Sequence, residues 1–252
     1  MKMLLNNLLV AFAMYSRLPV PKADWEEDNM KYCICFFPLI GLISGLLVNV
    51  TWRLLLLAGA GNAVQGSVLA VIPILVTGGI HMDGFLDTSD AIGSWKSVEE
   101  KLEIMKDSHS GASAVICGLC YMALYTGAMA SMNTKALLLT GVGFMLSRAY
   151  SGFGLIVLRK AKKTGLLRSF SDRAASQRCS RVMIVWIAVS TAVMIMIDPV
   201  SGAVCAGCAL AVFLWYRWTA YSKFGGITGD LAGYFLQICE LVIALAAVLV
   251  CK

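Results

Sequence analysis

Charged residues are scarce in this chain. Asp, Glu, Lys and Arg make up 14% of its 252 residues, whereas 59% are hydrophobic and the mean hydropathy is +0.76. Soluble domains carry about 25% charged residues, so this composition argues strongly against a water-soluble domain. It also excludes a disordered chain, because disorder goes with high charge and few Leu, Ile and Val residues. We therefore expect the chain to lie in a lipid bilayer.

Histidine is rarer still, since His81 and His109 are the only 2 in the sequence. The 9 cysteines are an odd number, and most lie inside apolar runs, as Cys117 and Cys120 do. A disulfide framework or a zinc site would need spaced cysteines with further thiol or imidazole ligands nearby. The cysteines are therefore interpreted as small apolar side chains of the core.

The apolar residues are grouped in stretches long enough to cross about 30 Å of hydrocarbon. They predict an all-α integral membrane protein with about seven transmembrane helices, within a range of roughly six to eight. Residues 1–21 are interpreted as a retained amphipathic or re-entrant segment. Because the sequence has no internal repeat and no low-complexity linker, residues 1–252 are predicted to form a single polytopic domain. The predicted helices cover residues 33–57, 64–81, 111–131, 136–158, 182–197, 201–216 and 231–251.

Positive charge predicts the orientation, because cytoplasmic loops are enriched in Lys and Arg. If the N-terminus is cytoplasmic, the inner segments contain 17 of the 21 lysines and arginines. We therefore expect a protein of the cytoplasmic (inner) membrane with its N-terminus and its active-site loops on the cytoplasmic side. The inner segments are residues 1–32, 82–110, 159–181 and 217–230.

The first candidate site is the run GGIHMDGFLDTSDAIG at residues 78–93. At 100° per residue, Asp83, Asp87 and Asp90 fall within a strip about 60° wide on a continuous helix. Such carboxylates repel one another without a cation, and hard oxygen ligands suit Mg²⁺ or Mn²⁺. A solvated acidic helix end is the alternative, but ionisable groups at a membrane boundary usually mark function. The run therefore predicts a metal site.

A second polar segment, KLEIMKDSHSGAS at residues 101–113, also lies at the inner end of a predicted helix. Lys106 can contact a phosphate, and Asp107 can add a metal ligand or a hydrogen-bond acceptor. A Ser–Gly turn that caps the next helix explains the segment equally well, so both interpretations stay open.

A third segment, residues 225–240, begins at a turn in which Asp230 can serve either as a helix N-cap or as a site residue. Glu240 lies ten residues into the last predicted helix, and Arg148 lies ten residues from the inner end of the fourth. An isolated charge at that depth is costly. We therefore predict that Arg148 and Glu240 approach each other or share a polar cavity.

Residues 159–181 form the densest run of positive charge. Most of this loop is typical of a segment that faces the inner leaflet. A subset, Lys162, Lys163 and Arg168 around Gly165, can instead grip a diphosphate. Nucleic-acid binding is not expected, because the loop is short and has few aromatic residues. Carboxylates and basic groups on one aqueous face predict phosphoryl or nucleotidyl transfer with Mg²⁺.

Six runs of the sequence occur in an order that points to one family. They are SRLPVP at 16–21, FFPLIG at 36–41, GGIHMDGFLDTSDAI at 78–92, LEIMKDSHSGA at 102–112, GLLRSF at 165–170 and GGITGDLAG at 225–233. Together they resemble the cobalamin synthase family, the adenosylcobinamide-GDP ribazoletransferases. The aspartate run is the most specific of the six, and the match extends over nearly the whole chain.

The resemblance implies a Mg²⁺-dependent, multi-pass inner-membrane enzyme. In that reaction, a late step of cobalamin nucleotide-loop assembly, the 3′-hydroxyl of α-ribazole or of its 5′-phosphate attacks the cobinamide-side phosphorus of adenosylcobinamide-GDP. GMP leaves, and adenosylcobalamin or its 5′-phosphate forms. The partners are thus these small molecules and the bilayer, while a homo-oligomer is left open.

The resemblance also assigns roles to the candidate residues. The general base would be His81 or a carboxylate, but His81 lies about 200° from Asp83 on a continuous helix and needs a backbone bend near Gly78 and Gly79 to share the site. The metal ligands would be Asp83, Asp87 and Asp90, with catalytic contributions from Lys106 and Asp107. The substrate-binding candidates are Arg148, Lys162, Arg168, Asp230 and Glu240.

The sequence departs from the family pattern at four positions. Position 109 is His where relatives commonly show Arg, which weakens a phosphate contact there at neutral pH. Gln237 stands where an acid is expected, and Ser113 and Ala114 replace a bulkier residue and a glycine. The three aspartates of the first run are intact. We therefore expect these changes to affect the rate or the substrate preference before they affect the type of reaction.

Two other functions stay open. A CDP-alcohol phosphotransferase of phospholipid synthesis also uses clustered aspartates and Mg²⁺, but the run after Asp83 lacks the Ala-Arg-Gly continuation of that signature. A divalent-cation transporter is the alternative from a different class. It would place acids near the bilayer midplane, whereas these acids lie mostly at one boundary.

Overall fold

Helices account for the architecture of this chain wherever the computed structural model describes it, in residues 2–25, 32–107, 109–161 and 177–251. In those residues strand pairing is limited to one bridge between Lys160 and Ile227. A 3-10 turn, Cys33–Phe36, leads into the second helix. The α-helices are α1 (Lys2–Tyr15), α2 (Phe37–Leu57), α3 (Asn62–Thr77), α4 (Ile80–Gly93), α5 (Val98–Ile104), α6 (Ala112–Ala130), α7 (Thr134–Val157), α8 (Gln177–Ile197), α9 (Pro199–Phe224) and α10 (Gly229–Val250).

Several of these helices are long and apolar enough to cross a bilayer. Among the described residues, 5 segments qualify by length and composition, and the pair α3–α4, bent by 96°, is a sixth if it counts as one span. Helix α7 is long enough at 24 residues but is less apolar, because Lys135 and Arg148 interrupt it. Helices cover most of each predicted apolar stretch, which confirms an all-α, multi-pass membrane protein. The 5 segments are Cys33–Leu57, Ala112–Ala130, Gln177–Ile197, Pro199–Phe224 and Gly229–Val250.

Helix α7 lies at the centre of the bundle and packs against α2, α8 and α10. Its crossing with α2 is very close, since a Cβ added to Gly41 would lie 2.2 Å from the Phe144 carbonyl oxygen. A Cβ on Gly45 would lie 2.4 Å from the Gly141 carbonyl oxygen. Small residues let membrane helices approach each other and gain van der Waals contact. Helix α7 is therefore the helix against which α2, α8 and α10 are packed.

Helix α4 is held against α10 and α6 through its apolar face. The Phe85 ring stacks on Tyr234 with centroids 5.4 Å apart and contacts the Tyr121 ring at 5.2 Å. Glycine permits the close contact with α10, because a Cβ on Gly84 would lie 2.8 Å from the Cα of Asp230. With this face buried, the acidic face of α4 is turned to the outside of the bundle.

Most helix boundaries lie within a few residues of the sequence prediction, and three larger differences have a physical explanation. The second predicted helix, 64–81, ends at Thr77, because Gly78 takes the left-handed conformation with φ of 64°. Helix α9 continues to Phe224 rather than ending at residue 216, and α8 begins at Gln177 rather than at residue 182. An apolar run marks only the part of a helix in hydrocarbon, whereas the helix itself continues into the polar boundary.

A candidate active site on the carboxylate face of helix α4

Two consecutive glycines create the start of the site. Gly78 and Gly79 have φ of 64° and 81°, a conformation that side chains with a Cβ rarely adopt. The Gly79 amide donates to the Ile74 carbonyl oxygen at 2.9 Å, which closes the end of α3. The chain then turns by 96° and begins α4 at Ile80. Helix α4 therefore runs in a different direction from α3.

Three aspartates share the outer face of α4, as the sequence predicts for a continuous helix. Asp83 is exposed, and Asp87 and Asp90 are half-buried. Asp87 lies within electrostatic reach of the other two and also of Asp230, at the start of α10. Three carboxylates therefore act on that of Asp87, and such a group is self-repelling until a cation or a proton offsets its charge.

The Asp90 carboxylate is tied to the start of helix α6. The Gly111 amide donates to Asp90 Oδ2 at 3.1 Å. A Cβ on Gly111 would lie 2.2 Å from Asp90 Oδ1, so only glycine leaves room for this carboxylate. Gly111 of the second polar segment thus supports Asp90, which adjoins the other α4 carboxylates.

Asp230 is not the cap of helix α10. The N-cap is Thr228, whose hydroxyl oxygen accepts a hydrogen bond from the Leu231 amide at 3.1 Å. Asp230 stands in the first turn, where its backbone packs against Gly84 of α4. The capping explanation therefore belongs to Thr228, and Asp230 contributes its charge to the surroundings of Asp87 on α4.

The donor chemistry of this face suits Mg²⁺, but the face is not a complete metal cage. In the parts of the chain that the structure describes, no three His, Cys, Asp or Glu side chains converge closely enough to hold one ion. The expected ligand set of Asp83, Asp87 and Asp90 is therefore not assembled as it stands. Mg²⁺ commonly binds through one or two carboxylates together with substrate phosphates and water. The face fits that type of site.

His81 lies on the opposite side of α4 from Asp83. Its ring is buried, packs edge-on against Phe37 with centroids 5.8 Å apart, and leaves Nε2 without a hydrogen-bond partner. The bend at Gly78 and Gly79 does occur, but it precedes His81 and leaves both side chains on one continuous helix. The condition for His81 to share the carboxylate site is therefore not met.

Lys106 and Asp107 lie on the surface between α5 and α6. Lys106 forms an ion pair with Glu103. The backbone amide of His109 donates to Asp107 Oδ1 at 3.0 Å, and His109 Nδ1 lies 2.8 Å from the same oxygen. These hydrogen bonds lower the pKa of the Asp107 carboxyl. Lys106 and Asp107 line an open cavity of about 700 Å³ along α5. The cavity is large enough for part of a bulky substrate.

Arg148 and Glu240 meet in the interior, which confirms their predicted approach. Arg148 Nη1 donates to Glu240 Oε1 at 2.7 Å, and the two side chains are 1% and 2% exposed. Ser147 Oγ also donates to Glu240 Oε1, at 3.2 Å, and Arg148 Nη1 donates to the Phe144 carbonyl oxygen at 2.9 Å. The pair thus joins α7 to α10. Substrate binding by these residues stays a prediction, whereas their part in holding the bundle is visible.

Three predicted residues, Lys162, Lys163 and Arg168, lie outside the described residues. One residue that the sequence analysis did not single out, Arg17, lines a cavity of about 630 Å³ together with Asp83. Its position in the run SRLPVP is the signal that could have identified it.

A comparison with known protein families identifies the family of the chain. The model of the family described as cobalamin-5-phosphate synthase matches residues 7–248, which include all the α4 aspartates, Asp230 and the Arg148–Glu240 pair. The chain belongs to the cobalamin-5-phosphate synthase family. This confirms the resemblance and displaces the CDP-alcohol phosphotransferase and the cation transporter as alternatives.

Curated relatives of the family are similar over almost their full length. The adenosylcobinamide-GDP ribazoletransferase of Lachnoclostridium phytofermentans is 42% identical over 245 residues, which cover 97% of this chain and 94% of the relative. The protein of that name from Clostridium botulinum (strain Alaska E43) is 29% identical, with 96% of each chain covered. The one from Geobacillus sp. (strain WCH70) is 28% identical, with 95% and 94% covered. No solved structure matches the chain.

Proposed function

We propose that this protein joins α-ribazole, or its 5′-phosphate, to adenosylcobinamide-GDP and releases GMP, as an adenosylcobinamide-GDP ribazoletransferase of cobalamin synthesis. The observation that carries this proposal is the family match over residues 7–248. The acidic face of α4 supports it, because carboxylates can hold the Mg²⁺ that offsets the negative charge of the donor diphosphate during transfer.

The bond changes define what the site must do. An O–P bond forms between the 3′-hydroxyl oxygen of the acceptor and the cobinamide-side phosphorus, and the bond from that phosphorus to the GMP oxygen breaks. The hydroxyl proton passes to a base, and a carboxylate of the α4 face takes that role because His81 is buried on the other face. Asp83 and Asp87 would hold Mg²⁺, which neutralises diphosphate charge when bound.

The same proposal places the enzyme in the cytoplasmic membrane with the α4 face toward the cytoplasm. The distribution of basic residues supports this orientation, because 17 of the 21 lysines and arginines fall in the segments on that side. Adenosylcobinamide-GDP is bulky and charged. If the site opens to the cytoplasm, this substrate can enter it from the aqueous phase and does not have to cross the bilayer.

A transfer assay on protein purified in detergent or in liposomes tests the proposed function. Adenosylcobinamide-GDP and α-ribazole are supplied with Mg²⁺ or with EDTA, and GMP and cobalamin are measured. We expect formation of both products with Mg²⁺, loss with EDTA, and a fall of at least about a hundredfold in kcat for Asp83→Asn, since the substitution removes one ligand charge from the reacting centre.

A matched control is Asp198→Asn, the same chemical change away from the α4 face. Asp198 caps α9 by accepting from the Ser201 amide at 2.9 Å, and asparagine retains a capping oxygen. This variant should keep wild-type kcat. Absence of cobalamin from monodisperse, folded wild-type protein would contradict the proposed reaction, and equal activity of Asp83→Asn and Asp198→Asn would contradict the assigned face.

A further inference from the structure

The bend between α3 and α4 borders an open cavity, and Asp83 is the one residue of its lining that already has a proposed role. Its volume is about 630 Å³, and its walls come from the end of α1, the bend and the start of α4. Met82 and Leu86 provide an apolar side, while Asp83 and Arg17 provide the charges. One end of the carboxylate face therefore opens into a space that is also lined by the positively charged side chain of Arg17.

Arg17 is fixed at this cavity by its backbone and by the glycine bend. Its amide donates to the Val76 carbonyl oxygen at 2.8 Å, which anchors residue 17 to the last turn of α3. Its side chain crosses Gly78 so closely that a Cβ there would lie 2.3 Å from Cγ and 2.6 Å from Nε. Gly78 therefore serves both the bend and the path of this arginine side chain.

The Arg17 head group has unused hydrogen-bonding capacity. In the described residues its guanidinium makes no hydrogen bond, ion pair or ring contact, although it lines a cavity that contains a carboxylate. A guanidinium offers a planar set of N–H donors that matches two oxygens of one phosphate. An exposed arginine with an anchored backbone and no protein acceptor for its head group is thus suited to an anionic ligand.

We propose that Arg17 binds a phosphate group of a substrate in this cavity, and that Gly78 positions it by leaving space for its side chain. The ligand class is a phosphate ester of a nucleoside, whose base packs on the apolar side formed by Met82 and Leu86. This inference rests on the proposed function. The phosphate belongs either to a 5′-phosphorylated acceptor or to the diphosphate of the donor.

Arginine variants distinguish the two phosphates. Arg17→Ala and Arg17→Lys are assayed with α-ribazole and with its 5′-phosphate, at varied concentrations of each substrate. If Arg17 binds the acceptor phosphate, Arg17→Ala raises KM for α-ribazole 5′-phosphate about tenfold to a hundredfold and leaves KM for α-ribazole unchanged. If it binds the donor, KM for adenosylcobinamide-GDP rises by that factor with either acceptor. Arg17→Lys keeps the positive charge but loses the planar set of N–H donors, so its KM should lie between those of wild type and Arg17→Ala.

Two glycine variants provide a matched pair. Gly78→Ala and Gly79→Ala introduce the same left-handed strain, but a Cβ on Gly79 meets no atom within 4 Å, whereas one on Gly78 meets Arg17. Gly78→Ala should therefore reproduce the KM change of Arg17→Ala and add little to it in the double variant. Gly79→Ala should show little change in KM, and its effect should add to that of Arg17→Ala.

Direct binding separates a failure of this inference from a failure of the proposed reaction. Titration calorimetry with α-ribazole 5′-phosphate and with adenosylcobinamide-GDP, both in EDTA, reports affinity without turnover. Weaker binding of one ligand to Arg17→Ala supports the phosphate site even if wild-type protein forms no cobalamin. Wild-type affinity and KM in Arg17→Ala for both ligands, or equal effects of Gly78→Ala and Gly79→Ala, would overturn it.

Discussion

At the scale of single residues, the clearest feature is a charge pair inside the bundle. Arg148 and Glu240 are the most deeply buried charged side chains of the described residues, and Ser147 adds a further donor to the carboxylate. Their approach was predictable, because two opposite charges at equal depth in a membrane bundle avoid a large desolvation cost by pairing. The surroundings of His81 were not predictable, since its burial depends on packing against Phe37 of another helix.

The pair predicts an asymmetric effect on stability. Glu240→Ala should lower the free energy of unfolding by about 3–5 kcal/mol, because it leaves the buried Arg148 guanidinium unpaired. Arg148→Met combined with Glu240→Leu should cost less than Glu240→Ala alone, since no uncompensated charge remains. Unfolding in mixed micelles, followed by circular dichroism, measures both variants. The single variants Arg148→Met and Glu240→Leu complete the comparison. If the double variant loses as much stability as these two single variants together, the pair is not coupled.

At the scale of secondary-structure elements, helix α4 is positioned by its neighbours. The aspartate spacing alone predicts a common face, and the continuous helix Ile80–Gly93 confirms it. The spacing does not predict the contact of Asp90 with the start of α6 or the contact of Gly84 with α10. Both contacts join segments that are distant in sequence, so they follow from packing rather than from helical periodicity.

The contact between α4 and α6 predicts a sensitivity at Gly111. Gly111→Ala should displace the Asp90 carboxylate, because a Cβ at position 111 would lie 2.2 Å from Oδ1, and so raise the Mg²⁺ concentration for half-maximal activity severalfold. Gly127→Ala in the same helix is the control, since a Cβ there meets no atom within 4 Å. A Mg²⁺ titration of the transfer reaction measures the difference, and identical curves for the two variants would contradict the role of Gly111.

At the scale of the whole molecule, the helix order and the charge distribution bear on orientation. Lys106 precedes α6 and Lys135 follows it, so a single membrane crossing places them on opposite sides. Both side chains are more than half exposed and take part only in surface ion pairs, which contribute little to stability. They are therefore suitable positions for a label.

The proposed orientation predicts opposite labelling at these two positions. A membrane-impermeant maleimide added to intact cells should label Lys135→Cys, whereas Lys106→Cys should react only after the membrane is permeabilised. The unsubstituted chain, with its 9 native cysteines, gives the background. Labelling of Lys106→Cys in intact cells would place the α4 face outside and contradict a cytoplasmic site.

The sequence by itself determined the membrane class, the positions of the long helices, the common face of Asp83, Asp87 and Asp90, and the pairing of Arg148 with Glu240. These properties depend on apolar length, on helical periodicity and on the cost of buried charge, all of which act locally or at a known depth. Only the tertiary structure decided that α4 turns away from α3, that Thr228 rather than Asp230 caps α10, and that Arg17 and Asp83 line one cavity. Those outcomes depend on how closely backbones remote in sequence can approach, which periodicity does not encode.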